Sequence, residues 1–321
     1  MRHRIAEFYS GIGGMHYAWL EAGLSGEVVA SFDINTFANE VNRFNFADAT
    51  IHHRSIESQS LKFYQKLNAD VYLMSPPCQP YTRIGLQRGS DDIRAKSFLY
   101  LLDVIFKLGE HRPRYLLIEN VVGFENSDTH ARTLECLGTC AYDIEEFIIN
   151  PNQLGVPNSR SRYYLLPLGQ TPAESSSETH TCPAPQTLEQ YLGPTLTDQA
   201  LLTDYRVPTD LLSKRLKVMD VVHFDSTGSC CFTKGYSHYA EGTGSILHMG
   251  YKPLGDQSPA LNVTYDYRYF TEYEIAQLMG FPLTKFRFPD TITRKQRYRL
   301  LGNSLNVTVV AHLLRHLIGD S

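Results

Sequence analysis

The sequence predicts an α/β protein: a mostly parallel, Rossmann-like sheet covered by helices on both faces, followed by a smaller irregular domain. Three observations carry this. Short apolar runs alternate with helix-like stretches over residues 1–168. Residues 170–187 then shift to Pro, Ser, Thr and Glu, the composition of a linker. From about 188 to 285 tyrosines and glycines recur with no sustained period, so little sheet is expected there.

The elements follow in order. Strands are expected at Ile5–Tyr9, Glu27–Phe32, Val71–Ser75, Tyr115–Glu119, Asp143–Ile149 and Arg162–Leu168, each a short apolar run ending near a polar or turn-forming residue. Helices are expected between them at Met15–Ala22, Thr36–Phe44, Ser60–Leu67, Ala95–Leu108 and Arg132–Leu137. Near the end, 296–319 reads as one helix whose Leu305, Val309, Ala311, Leu313, Leu314 and Leu317 supply an apolar surface for packing back on the first domain.

Bulk properties narrow the class. At 321 residues, 42% hydrophobic and 20% charged, the chain has the composition of a soluble globular protein. It shows no run of the roughly 18–20 apolar residues a membrane span needs and no signal-peptide core after Met1-Arg2-His3-Arg4. Six scattered cysteines fit a reducing compartment, so a cytoplasmic location is expected, with the nucleus as a further one. Cys136 and Cys140, four apart, lack His or acid partners at fixed spacing, and no metal is expected. Net charge is -4, yet Lys285, Arg287, Arg294, Lys295, Arg297 and Arg299 crowd one stretch with a single acid, Asp290. Arg83, Arg88, Arg94, Lys96 and Arg112 form a looser second group. Local basic surface of this kind binds phosphates whatever the total charge.

The chemistry is expected at strand ends. Pro76-Pro77-Cys78-Gln79 follows an apolar strand, and two prolines stop that strand and frame Cys78 where an open α/β sheet places reactive groups. Such a thiol becomes a nucleophile only with nearby positive charge or N–H groups. Phe8-Tyr9-Ser10-Gly11-Ile12-Gly13-Gly14 joins a strand to a helix through glycines that allow close approach of a ligand, with helix-start N–H groups beyond. Asp33, closing the second strand, stands where nucleoside-binding sheets hold ribose hydroxyls. Glu119 closes another apolar strand, where a carboxyl is costly unless paired or functional. Arg160 and Arg162 flank Ser161, so an extended backbone puts both on one face.

Taken in chain order, these segments resemble the DNA-type cytosine-5 methyltransferase family, over nearly the whole chain. Phe8, Gly11, Ile12, Gly13, Gly14 and Asp33 match its S-adenosylmethionine site, Pro76–Gln79 its nucleophile loop, and Glu119-Asn120-Val121 its general-acid segment. Gln153 to Arg162 match its paired-arginine segment, and Gly302-Asn303-Ser304-Leu305 the segment returning to the cofactor. Cys231-Phe232-Thr233-Lys234-Gly235-Tyr236-Ser237-His238-Tyr239 to Ser245, with Thr82-Arg83-Ile84-Gly85, is similar to the tRNA(Asp) branch. Where many DNA-modifying relatives carry an Asp facing adenine, this chain has Arg54-Ser55-Ile56-Glu57.

The resemblance implies a catalytic and cofactor-binding domain over 1–169, a linker over 170–187, a target-recognition domain over 188–285 and a return to the catalytic domain over 286–321. It implies Cys78, Glu119, Arg160 and Arg162 as catalytic residues. Ile56, Glu57, Ser75, Pro77, Asn303 and Ser304 join the cofactor contacts, and Arg83, Lys234, Tyr236, Arg294 and Lys295 face the substrate. The product would be 5-methylcytosine in an anticodon loop, with S-adenosylhomocysteine left behind, and Glu119 kept protonated by burial. A monomer acting on tRNA is expected, with DNA as a weaker partner and no membrane. A DNA methyltransferase and a silent nucleic-acid-binding relative are the alternatives.

Overall fold

Each apolar run of the first half becomes a strand, within one or two residues of its expected ends. The computed structural model describes residues 2–77, 95–169, 183–192, 203–249 and 267–319. The chain divides into two compact units, Met1–Ile149 with Ser161–His180 and Val307–Ser321, and Asn150–Arg160 with Thr181–Asn306.

In the first unit, β1 (His3–Phe8), β2 (Gly26–Phe32), β3 (Ile51–His52), β4 (Val71–Met74), β5 (Tyr115–Val121), β6 (Tyr142–Ile149) and β7 (Arg162–Gly169) form a sheet in the order β3-β2-β1-β4-β5-β7-β6. The first five run parallel, and β7 is antiparallel to both β5 and β6. The central strands are buried on both faces, as a parallel sheet requires: β4 is buried throughout and β5 nearly so. Chain order reverses between β1 and β4, which makes their carboxyl ends the topological switch point.

Helices α1 (Gly14–Ala22), α2 (Thr36–Asn45), α3 (Leu61–Leu67), α4 (Lys96–Lys107) and α5 (Asp128–Thr139) connect these strands. Their starts are set by side-chain caps: Asn35 accepts from Phe37 and Ala38 N–H, Ser60 from Phe63, and Ser127 from His130. One core cluster includes Phe8, Phe32, Tyr64, Tyr72, Phe98 and Ile118.

In the second unit, β8 (Asp220–Val222), β9 (Ser245–His248) and β10 (Tyr267–Tyr269) form a three-stranded sheet in the order β10-β9-β8. Helices α6 (Thr209–Arg215), α7 (Glu272–Leu278) and α8 (Arg294–Gly302) belong with it, while α9 (Val307–Ile318) lies in the first unit and packs against α1. Inside this unit Arg268 and Glu274, 1% and 2% exposed, form a two-pronged ion pair at 2.8 Å on both prongs.

Two expectations need correction. The helix expected over 296–319 is two helices, broken at Asn303–Asn306. A Thr293–Gln296 capping box starts α8 early, at Arg294. Gly302, Asn303 and Ser304 then end it, being residues that favour turns over helix interiors. Residues 150–160, expected in the first domain, group with the second unit, as do 286–306. Hydrogen bonds account for the first shift: Ser159 N–H donates to Ser229 O at 2.8 Å, and the Asn158 amide to Ser229 Oγ at 3.0 Å and Cys230 O at 3.1 Å.

Candidate active site

Three strand ends of the first unit converge at the switch point. β1 runs into the turn Tyr9–Gly13, β2 into Asp33, and β4 into Ser75-Pro76-Pro77. Cys78 and Arg83 lie outside the described residues, as do Arg88, Arg94 and 170–182 of the expected linker. Ser75 is bound to the glycine turn: its N–H donates to Phe8 O at 3.3 Å and its hydroxyl to Tyr9 O at 3.2 Å. Gly13 has φ +86°, and a Cβ there would stand 2.8 Å from the Phe46 ring, so the turn requires glycine.

Asp33 ties the turn to β2. One carboxylate oxygen accepts from Gly11 N–H and the other from Asn35 N–H, both at 2.8 Å. Burial pushes its carboxyl above the usual range, while those N–H bonds pull it back. Each carboxylate oxygen has a second lone pair for a hydroxyl. Around Gly11 there is open space: a Cβ there would meet only Tyr9 O, at 4.0 Å. Ile34, next to Asp33 in the chain, is 74% exposed, an apolar side chain open to solvent. An open glycine turn, a carboxylate and an exposed apolar side chain are what a nucleoside carrying an amino-acid tail needs, so these residues fit S-adenosylmethionine.

Several assignments from sequence change here. Phe8 cannot reach a ligand: it is fully buried, stacked on Phe32 at 4.9 Å and against Tyr72. The aromatic that leaves the sheet is Tyr9, at φ +58°, with its hydroxyl donating to Ser97. Ile12 is buried at 1%. Ile56, 5% exposed, packs in the core and its carbonyl accepts from Tyr64 Oη at 2.9 Å, whereas Glu57 beside it is half-buried.

Sequence reading also missed Glu7. It is fully buried in β1, and its carboxylate accepts from His16 N–H at 3.3 Å and from the Ser31 hydroxyl at 3.2 Å. Gly13 gives α1 no capping side chain, so Glu7 caps that helix from inside the protein. The helix-start N–H groups expected to face a ligand are thus partly engaged from behind. Burial raises the Glu7 carboxyl to about 8, and partial burial pushes the His16 imidazole down to about 4. The signal was present: one acid, in Ile5-Ala6-Glu7-Phe8, on a strand buried on both faces.

Two strands along the sheet, Glu119 and Arg162 meet. Antiparallel pairing sets Val121 opposite Arg162 and Tyr164 opposite Glu119, so the two side chains share a face on a diagonal. Arg162 Nε lies 3.3 Å from Glu119 Oε1, with both side chains largely buried. The expectation allowed a paired Glu119 but named no partner; the structure supplies Arg162.

Arg160 does not share this arrangement. It is 4% exposed in the second unit, where its guanidinium donates to Phe232 O and Gly302 O, both at 3.2 Å, and to Ser304 O. It also reaches Cys231 Sγ at 3.3 Å. Its place is that of a positioning residue that ties the Cys231–Phe232 segment to Gly302–Ser304. Asn303 and Ser304 accordingly sit with Arg160 in that unit.

Among the substrate candidates, Tyr236 is 4% exposed; its hydroxyl donates to Ser245 O at 2.6 Å and accepts from Phe270 N–H at 2.9 Å, which makes it an internal anchor. Arg294 donates to Asp204 O at 2.7 Å and lies over the Tyr205 ring. Lys234 and Lys295 are exposed.

A glycine turn and an acid at adjacent strand ends of the switch point, with a carboxylate–guanidinium pair two strands away, define a group-transfer enzyme with a nucleoside-type cofactor. The chain belongs to the C-5 cytosine-specific DNA methylase family, which it matches over residues 3–319; it is an S-adenosylmethionine-dependent cytosine-5 methyltransferase. It is 39% identical over 339 residues to a tRNA (cytosine(38)-C(5))-methyltransferase of Spodoptera frugiperda, covering 99% of each chain. It is 37% identical to a DNA (cytosine-5)-methyltransferase of Dictyostelium discoideum, covering 99% of this chain and 95% of that one. The crystal structure of S. pombe Dnmt2 methyltransferase superposes with a TM-score of 0.84 at 35% identity, covering 99% of this chain and 98% of that one.

Proposed function

We propose that this protein methylates C5 of a cytosine in the anticodon loop of a tRNA, tRNA(Asp) foremost, through a covalent bond from Cys78 to C6. The observation that carries the chemistry is the Glu119–Arg162 pair at the carboxyl end of β5, in the unit that holds the glycine turn and Asp33. The RNA assignment is supported by the segment Cys231–Ser245 and by relatives named as tRNA methyltransferases.

Cytosine C5 is a weak nucleophile. Attack of the Cys78 thiolate at C6 forms an S–C bond and moves the ring's electron pair toward C5. Glu119, facing N3, delivers a proton there as negative charge builds on the ring. Arg162 holds the Glu119 carboxyl in place and adds positive charge beside it. Asp33 and the glycine turn hold the nucleoside and amino-acid ends of the cofactor, and Glu7 fixes the turn from behind. When bound, S-adenosylmethionine supplies the methyl group as an electrophilic sulfonium. Loss of the C5 proton to a base then expels the thiolate, and return of the N3 proton to Glu119 restores the neutral ring. An unpaired loop base reaches such a site without the unstacking a duplex demands.

DNA is the second reading, favoured by the name of the Dictyostelium relative. Transfer of labelled methyl groups to separate tRNA and duplex DNA pools decides between them, with Cys78→Ala as control. Label in tRNA that disappears in Cys78→Ala is expected. Label in DNA alone would overturn the RNA reading, and an active Cys78→Ala the covalent one.

A further inference from the structure

The second unit carries an exposed aromatic on an unusually well-anchored turn. Between Phe232 and Ser245 the chain folds back on itself, with Thr233 N–H donating to Thr243 O at 2.9 Å and the Thr243 hydroxyl to Tyr239 O at 2.8 Å. His238 and Tyr239 N–H both donate to Gly235 O, at 3.0 and 3.2 Å. The base of the turn sits on α8. There Tyr236 meets Tyr298 edge-on at 5.1 Å, and a Cβ on Gly302 would collide with main-chain atoms of Thr233 and Lys234. The turn is therefore held by buried side chains and by direct backbone-to-helix contact.

On this base Tyr239 is 63% exposed. Its ring rests close over Gly235: a Cβ there would lie 3.0 Å from Tyr239 Cδ2 and would push the ring outward. His238 adds an edge contact at 4.6 Å. Three exposed cations belong to the same region. Lys234 is on the turn; Lys295 and Arg299 stand one helical turn apart on α8, Arg299 three residues before Gly302 and hence beside it on the helix surface. None of the three is in an ion pair among the described residues. Their neighbour Arg297, by contrast, is paired with Glu272 at 2.7 Å.

We propose that Tyr239 is the stacking platform for an unpaired base of the RNA loop that is methylated, with Lys234, Lys295 and Arg299 facing the adjoining phosphates. The proposal rests on the reading of RNA as substrate. A braced, exposed aromatic offers a π face at little entropic cost, and every nucleobase in a single-stranded loop can use it. Duplex bases, already stacked, cannot. The cations supply the salt-dependent part of the same contact.

The test compares full-length Tyr239→Ala, Tyr239→Leu and Tyr239→Phe with the parent, for binding and methylation of an unmodified tRNA(Asp) transcript at fixed salt. Tyr239→Ala and Tyr239→Leu are expected to bind about tenfold more weakly, the usual order for one lost base–aromatic stack. Tyr239→Phe is expected to bind as the parent does. Tyr239→Leu keeps an apolar side chain over Gly235, so a loss shared with Tyr239→Ala is a loss of the aromatic face. Parental tRNA methylation together with undiminished binding by Tyr239→Ala and Tyr239→Leu would overturn the platform alone. A parent that leaves tRNA unmethylated would overturn the substrate reading and the platform with it.

Discussion

Replacing Glu7 with Gln tests whether an ionisable group inside the sheet caps the cofactor turn. Glu7 is fully buried between β2 and α1, with bonds to His16 N–H and Ser31 Oγ. Desolvation is the main cause that lifts its carboxyl, and the nearby Asp33 charge adds to it. In the unfolded chain the group titrates near its ordinary 4.5, in the folded one near 8. Between those values the folded protein holds a proton that the unfolded chain has released, so stability falls as pH rises through this window and levels off above it. At about 1.4 kcal/mol per pH unit, a rise from 4.5 to about 8 amounts to at most about 5 kcal/mol. Gln keeps the shape of the protonated acid, accepts from His16 with its carbonyl oxygen and donates to Ser31 with its amide. Glu7→Gln should therefore unfold in urea much like the parent at about pH 5 and be clearly more stable than it at about pH 9. A stability difference that stays the same at both pH values would refute the reasoning.

Two further changes probe the pairs that the fold creates. Glu119→Gln keeps the shape of the acid but removes its transferable proton, and methyl transfer should fall by about 10²–10⁴-fold with the melting temperature little changed; parental turnover would remove Glu119 from the chemistry. Arg268→Met leaves Glu274 buried without its partner and should destabilise the protein by about 3–5 kcal/mol in urea unfolding; a parental midpoint would mean that the pair adds nothing to stability.

Much of the first unit was legible because its strands are short apolar runs closed by Pro, Gly or an acid. Tyr72 to Met74 or Leu116 to Ile118 could hardly be placed anywhere but in a buried strand. The break at Asn303–Asn306 was not legible from apolar spacing, since Leu305, Val307 and Val309 look continuous with the helix that follows. Nor could spacing separate Phe8 from Tyr9, where one residue of register decides which ring enters the core and which leaves the sheet. The tyrosines of the recognition segment show the same limit. Tyr236 and Tyr239 are three apart and alike in chemistry, yet one is an anchor bonded at both sides of its hydroxyl and the other stands in solvent.

By itself the sequence determined the reaction class, through the resemblance that its segments carry in chain order. Its glycine turn, strand-end acids and Pro-Pro-Cys loop are local features, set by backbone preferences and residue chemistry within a few positions of each other. Tertiary structure alone decided the partners. Glu119 and Arg162, 43 positions apart by their numbers, meet because β5 and β7 are antiparallel neighbours. Arg160, two residues earlier, belongs to the second unit and is held by carbonyls there. Glu7 becomes a helix cap only because β1 lies under α1. Such pairings depend on which elements lie side by side, and a linear pattern records what each residue can do without recording what it faces.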